Sequence, residues 1–315
     1  MRRCRVTLQQ LKYAITISET GSLNKAAEAL FITQPSLTTS IQELEKEIGI
    51  TVFNRSGRGV TLTNDGTEFI LYAKQVLSQY EILAEKYSGG TNVKKKFGVS
   101  TQHYSFAVKA FVEMVKVLGT ADYEFAIRET QTRDIISDVH TLRSEIGIIY
   151  LDNFNRQSIT KLLSTNNLEF QKLTYCKPYV YLWRGHPLAK NKTINFSQLA
   201  DYPCLSFEQG ENSSFYLSEE ILSTCEYSRT IKACDRSTML NLMIGLNGYT
   251  LCSGIICEEL NGTDYLAVPF SYEEKAPDEI MEIGFITRKN SFLSDIGMLY
   301  IDKLKEYLLP FGREG

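Results

Sequence analysis

The stretch FITQPSLTTSIQELEKEIG, residues 31–49, places Gln34, Ser36, Thr38, Thr39 and Gln42 close together, with no basic residue before Lys46. Amides and hydroxyls donate and accept hydrogen bonds without needing a counter-ion. One chemistry that uses them so densely is the reading of DNA base edges. Gln bonds adenine bidentately, Ser and Thr suit either base type, and a Thr methyl can touch a thymine methyl. A second group is Arg55 and Arg58 in NRSGRG. These suit phosphate contacts, which position a reader without specifying sequence. A third is the run VSTQHYSF, where Ser100, Thr101 and Gln102 lead from an apolar strand into a helix. Hydroxyls and N–H groups at such a turn suit a carboxylate or other small anion. Similar turns hold Thr132, Ser206 and the segment Asp235–Thr238. Each of these turns also reads simply as a helix cap.

Groups of this kind need rigid elements beneath them. Leu37, Ile41, Leu44 and Ile48 share one face of a helix at 100° per residue. Pro35, Thr39, Gln42 and Lys46 then occupy the opposite face, with Ser36, Thr38 and Glu43 on its flanks and Gln34 at the helix start. Thr33 can cap this helix, and Pro35 falls in its first turn, where a missing N–H breaks no intrahelical bond. Upstream, Thr7 and Gln10 form a capping box before Leu8, Leu11 and Ile15, and that helix ends near Gly21. Ser22 caps a short second helix with Leu23, Ala26, Ala27 and Leu30 inward, and FIT makes the turn into the third. Two helices so joined describe a helix-turn-helix, whose second helix enters the major groove by its front end. A plain helical bundle with a solvated face is the other reading of the same spacing.

Downstream, ITVFNRSGRGVTLT reads as a hairpin of Thr51–Phe53 and Val60–Leu62 carrying the two arginines. As a wing it would place them on phosphates; otherwise they are solvated loop charges. Residues 64–87 read as a long helix with Thr63 as its cap. Phe69, Ala73, Val76, Tyr80, Leu83 and Tyr87 step by four and three in alternation, a heptad seam. The seam predicts pairing with a second copy, or packing on the chain's own body. A dimer suits two half-sites on DNA.

SGGTNVKKK at 88–96 reads as a linker, after which strands and helices alternate. Strands are predicted at 97–100, 123–128, 146–150, 168–173, 179–183, 204–207, 229–233, 249–251, 266–269 and 280–286. Helices are predicted at 105–118, 132–140, 196–199, 215–225, 236–246 and 294–308. The pattern predicts open α/β sheets covered by helices. Ligands in such sheets sit beyond the carboxyl ends of strands.

Composition narrows the function. The 315 residues suit two or three domains. No apolar run approaches the roughly 20 residues that a membrane helix needs, and the basic start lacks an apolar core and cleavage site, so no membrane association or secretion is expected. Seven cysteines, an odd number with no C-x-x-C pair, fit reduced thiols in a cytoplasm. The net charge of −3 divides into +3 for residues 1–60 and −6 for the rest. A slightly basic head on an acidic body fits a local DNA contact. His103, His140 and His186 have no metal spacing, and neither G-x-S-x-G nor a phosphate-cradling glycine loop is present. No catalysis and no cofactor are therefore expected. A solute-binding protein would use the body but not residues 1–87. A redox sensor is a further alternative, with Cys225 and Cys234 pairing on oxidation.

Residues 8–66 resemble the winged helix-turn-helix of LysR-type transcriptional regulators. The matching segments are LQQLKYAITISETGSLNKAAEAL, TQPSLTTSIQELEKEIGITVFNR and the VTLTNDG that opens the linker helix. Thr38 and Thr39 stand where many members carry Ser followed by Arg or Lys. More loosely, SEIGIIY, GHPLA and NLMIGLNGYTLCSG follow the family's order. The resemblance implies a DNA-binding domain at 1–63, a dimerisation helix and hinge at 64–90, and a periplasmic-binding-protein-like body at 91–315. Lobe one would be about 91–160 plus 268–315, and lobe two about 161–267. It also implies double-stranded promoter DNA as partner, a small-molecule effector between the lobes near 100–102 and 206–209, and a tetramer built as a dimer of dimers.

Overall fold

The computed structural model describes residues 5–56, 59–87, 95–119, 122–210, 215–272 and 280–311. The chain divides into two compact units, Met1–Thr91 and Asn92–Gly315.

The first unit holds α1 (Leu8–Thr20), α2 (Leu23–Ala29), α3 (Gln34–Ile48), the hairpin β1 (Phe53–Ser56) and β2 (Gly59–Leu62), and the long α4 (Asn64–Tyr87). Thr7 and Gln10 make the expected capping box, Ser22 caps α2 and Thr33 caps α3. Ala14, Ile17, Ala26, Leu37, Ile41, Leu44 and Val52 are fully buried in one core. Each large apolar side chain removed from water in this way contributes about 1.5–3 kcal/mol, so three leucine or isoleucine anchors fix which face of α3 points inward. Thr63 closes the hairpin onto α4: its N–H donates to the Val52 carbonyl, and its hydroxyl accepts from the Gly66 N–H. The start of α4 runs so close to β1 that a Cβ on Gly66 would stand 2.0 Å from the Val52 carbonyl oxygen.

The second unit opens with β3 (Lys95–Thr101), α5 (Ser105–Leu118), β4 (Tyr123–Glu129), α6 (Thr132–His140), β5 (Ile146–Leu151), α7 (Arg156–Thr165) and β6 (Leu168–Cys176). The chain then crosses to β7 (Tyr179–Trp183), α8 (Phe196–Leu199), β8 (Cys204–Phe207), β9 (Thr230–Ala233), α9 (Arg236–Leu246), β10 (Thr250–Cys252), α10 (Glu258–Asn261) and β11 (Tyr265–Pro269). It returns through β12 (Met281–Arg288) and α11 (Asp295–Leu308). A five-stranded sheet has the order β4-β3-β5-β12-β6, with β3 parallel to both β4 and β5 and with β12 antiparallel to its neighbours. Its apolar faces are covered by α5 and α11 on one side and by α6 and α7 on the other. The other lobe holds a three-stranded sheet β10-β7-β11 and a parallel pair β8-β9.

Three expectations change, the first being the wing's leading strand, which lies at Phe53–Ser56 rather than Thr51–Phe53. Strand β6 joins the first lobe's sheet through β12, so the crossing falls between Cys176 and Tyr179, not near residue 160. The helix expected over 215–225 is instead a single 3-10 turn, Phe215–Leu217, followed by turns in which Leu222 adopts a left-handed φ of 63°. There Glu219 and Glu220 both turn inward to accept backbone N–H groups, which neighbouring positions on a helix cannot do together.

Candidate nucleic-acid interface and interlobe cleft

On α3 the outward face matches the residues that the spacing selected. Gln34, Pro35, Ser36, Thr39 and Gln42 are exposed and Thr38 is half-buried. Gln34 Nε2 donates to Thr38 Oγ1 at 3.0 Å, and the hydroxyls of Thr33 and Ser36 share a 2.8 Å hydrogen bond. These pairs order the front of the helix while its amides and hydroxyls stay at the surface. Phe31, in the turn before α3, has a left-handed φ of 55° and is 96% exposed. The spacing marks it only as turn, yet it immediately precedes the helix that carries this polar front. Arg55 is exposed on β1, paired with Val60 of β2. Arg58 lies outside the described residues. Glu45 couples α3 to the wing: its Oε1 accepts the N–H groups of Val52 at 2.7 Å and Phe53 at 3.1 Å.

The α4 seam is split. Ala73 is buried and Phe69 packs against the head's own core. Val76, Tyr80, Leu83 and Tyr87 are exposed, with Tyr72 beside them.

In the body, Ser100, Thr101, Gln102 and Thr132 come together at the carboxyl ends of parallel strands, beside the switch point between β3 and β5. They do not all face a ligand. The Ser100 hydroxyl donates to Asp138 at 2.6 Å and bonds Ser144, and the Thr101 hydroxyl donates to the Gln102 carbonyl. Both serve the core, at 0% exposure. Gln102 donates to the Thr132 hydroxyl at 2.7 Å, and its Oε1 accepts from the Tyr150 N–H and the Tyr104 hydroxyl. Thr132 N–H in turn donates to Gln209 Oε1 of the other lobe at 3.2 Å. Ser206 lines a cavity of about 380 Å³ with Gln209, Glu220, Tyr227 and Lys232.

The carboxylate expected at the front of α5 comes from the chain itself. Glu219 Oε2 accepts the His103 N–H at 2.9 Å and meets His103 Nδ1 at 2.8 Å, while Glu219 Oε1 accepts from Gln209 Nε2 at 2.8 Å. The His103 ring stacks on Phe207 at 3.7 Å. Arg236 bridges back to Glu129 of the first lobe. Glu220 Oε1 accepts the Phe207 N–H at 2.7 Å. Burial, with Glu219 beside it, pushes the Glu220 carboxyl up to about 8. Glu219, Glu220, Thr250 and Arg236 line a cavity of about 80 Å³ between the lobes. Nothing in the sequence pattern flagged the two glutamates, because a helix would have sent them apart.

His140 bonds the Asn166 carbonyl and His186 the Asn247 carbonyl. Among the described residues no group of three or more His, Cys, Asp or Glu is placed to hold a metal ion, and no helix is long and apolar enough to cross a membrane. Cys234 is exposed and donates to Glu208 at 3.1 Å, and that carboxylate pushes the thiol up. A redox-active thiol requires the opposite shift.

Known proteins share both units. The family model for bacterial regulatory helix-turn-helix proteins of the LysR family matches residues 8–67. The transcriptional dual regulator GltC of Bacillus subtilis is 23% identical over 324 residues, covering 95% of this chain and 99% of its own. That similarity therefore runs through the body as well as the head. The HTH-type transcriptional regulator YvbU of the same organism is 27% identical, covering 67% of this chain and 69% of its own. Among solved structures, a full-length OxyR variant from Pseudomonas aeruginosa has a TM-score of 0.63 at 19% identity, covering 96% of this chain and 95% of its own. That likeness concerns the fold. Residues 8–67 thus carry a helix-turn-helix of the LysR-family type on a long helix, and the chain, two-lobed body included, is similar along its length to DNA-binding transcriptional regulators.

Proposed function

We propose that α3 reads promoter DNA through Gln34, Ser36, Thr38 and Thr39, with Pro35 and Gln42 on the same face. The observation that carries this is a dense, uncharged set of hydrogen-bonding side chains held at the surface by three fully buried anchors, Leu37, Ile41 and Leu44. Arg55 and Arg58 take phosphate contacts from the wing. Residues 1–63 form the reader and 64–90 the dimerisation helix and hinge. Val76, Tyr80, Leu83 and Tyr87 form the pairing seam, which Phe69 and Ala73 begin while also packing on the head. The dimer presents two readers, and two dimers assemble into a tetramer. In the body, residues 91–315, a small-molecule effector binds between the lobes and alters promoter binding. Gln102, Thr132 and Gln209 support this placement because they bridge the lobes at the strand ends. Ser206 flanks them, and Ser100 and Thr101 shape the turn from behind.

The test is a binding titration on the preferred duplex and its single-base variants. Gln34→Ala and Thr39→Ala each cost about 1–3 kcal/mol and relax preference at one position. Unchanged affinity in both variants would remove base reading from α3.

A further inference from the structure

The interlobe cavity has an unusual wall for a site expected to take an anion. Glu219 and Glu220 are 6% and 8% exposed, adjacent in sequence, and both line it. Glu219 already occupies the N–H of His103, the position at which an anionic ligand would otherwise dock. The guanidinium in the wall, Arg236, is engaged by Glu129 and by Asn261. A further negative charge would therefore meet two carboxyl groups and find the nearest cation and helix-front N–H taken. Like charges so close disfavour each other strongly in a poorly hydrated site.

A second observation is independent of the acid pair. Thr250, on β10, is 6% exposed and lines the same cavity, and its hydroxyl oxygen is buried without a hydrogen-bond partner. Buried hydroxyls are normally satisfied, and an orphan calls for an explanation. A donor in the cavity satisfies it. The cavity shares a wall with the larger one, since Phe207, Glu220 and Leu251 line both.

We propose that this cleft binds the ammonium group of a small organic amine, which donates to Glu219, Glu220 and the Thr250 hydroxyl. The remainder of the molecule extends into the 380 Å³ cavity along Ser206 and Tyr227. The assignment rests on the cleft being the effector site and adds the charge of the ligand. An ammonium has three donors and no acceptor, matching a wall that offers carboxylate and hydroxyl oxygens. A cation there also favours the ionised form of Glu220, so binding near neutral pH releases a proton from a carboxyl raised by burial.

The experiment is calorimetry and thermal shift on the full-length protein, with ethanolamine and putrescine as amine probes and acetate and benzoate as anion probes. At least one amine is expected to bind saturably, and neither anion. The heats should differ between phosphate and MOPS buffers, neither of which supplies a primary ammonium, as proton release requires. Glu220→Gln should weaken the amine at least tenfold and abolish the buffer dependence. Thr250→Val should also weaken it at least tenfold while leaving the ligand-free melting temperature unchanged or raised, because the hydroxyl it removes has no partner. That second variant separates ligand contact from a folding defect. An anion that binds and shifts promoter affinity would overturn the amine assignment while upholding the cleft as effector site. Binding of amines that ignores both substitutions, or no binding by any probe, would overturn the assignment too. Loss of promoter affinity in the ligand-free wild type would instead count against the DNA-reading function itself.

Discussion

Glu45 is the side chain through which α3 holds the wing, and its removal has a calculable effect. One carboxylate oxygen accepts the N–H groups of Val52 at 2.7 Å and Phe53 at 3.1 Å. Those residues are 0% and 5% exposed, so water reaches neither donor easily. Glu45→Ala orphans both. Each buried orphan costs about 1–3 kcal/mol, which gives about 2–6 kcal/mol for the pair. The cavity left by the glutamate stem lets some water in from the exposed Thr51 side, so the lower half, about 2–4 kcal/mol, is expected. Glu45→Gln keeps an oxygen in place and should cost about 1 kcal/mol. Amide hydrogen exchange on the full-length protein measures this locally. At 1.4 kcal/mol per tenfold, the slowest amides of α3 and β1 should exchange about 30- to 700-fold faster in Glu45→Ala. Amides of β3 and β5 should not change. Less than a threefold change in α3 and β1 would refute the idea that these two bonds fix the wing to the reader.

Gly66→Ala puts a methyl 2.0 Å from the Val52 carbonyl oxygen. Overpacking of about 1–3 kcal/mol and damage to the Thr63 cap of about 1 kcal/mol exceed the roughly 1 kcal/mol gained from helix propensity; a raised melting temperature would contradict this. Arg55→Ala should weaken all duplexes alike and flatten the log–log salt slope by about 0.9, as filter binding from 50 to 300 mM salt (roughly) can check. For Glu220 the sign follows from a folded value near 8 against an unfolded value of 4.5. The protonated form is favoured in the fold, so this group's stabilisation is complete below about pH 4.5 and is lost as pH rises through 8. Glu220→Gln should therefore flatten the decline in melting temperature between pH 5 and 8.5 (approximately), and an unchanged profile would place the titration elsewhere. After mild peroxide, peptide mass spectrometry should find no Cys225–Cys234 bridge, because Glu208 disfavours the Cys234 thiolate; a bridge in high yield would revive redox sensing.

The head was almost wholly legible because its signals are local. Thr7, Ser22 and Thr33 each cap a helix where their side chains can reach the next turn's N–H, and Leu37, Ile41 and Leu44 repeat at the helical period. The strands of the body followed from β-branched runs such as Ile146–Leu151, buried at every position. Helix α7 escaped notice because Asn155 makes no side-chain cap bond and only Ile159 and Leu163 are buried. The cleft was legible only in outline. Gln102 and Thr132 meet as the strand ends implied, but Ser100 and Thr101 spend their hydroxyls on Asp138, Ser144 and a backbone carbonyl. Which way the Ser100 hydroxyl turns depends on Asp138 and Ser144, far along the chain, and spacing carries no trace of them. Glu219 and Glu220 were hidden for a different reason. Their segment has helix-compatible residues, and only the tertiary donors, the N–H groups of His103 and Phe207, with Leu222 left-handed, break the helix and turn both carboxyls inward.

The central claim is that the exposed front of α3 distinguishes one duplex sequence from another. Selection of binding duplexes from a random library, followed by anisotropy titration of the full-length protein at about 0.15 M salt, measures it directly. The expected result is a recovered sequence bound on the order of 10³-fold more tightly than random duplex, with the preference relaxed in Gln34→Ala and Thr39→Ala. Equal affinity for selected and random duplexes, with or without amine and carboxylate ligands, would contradict it.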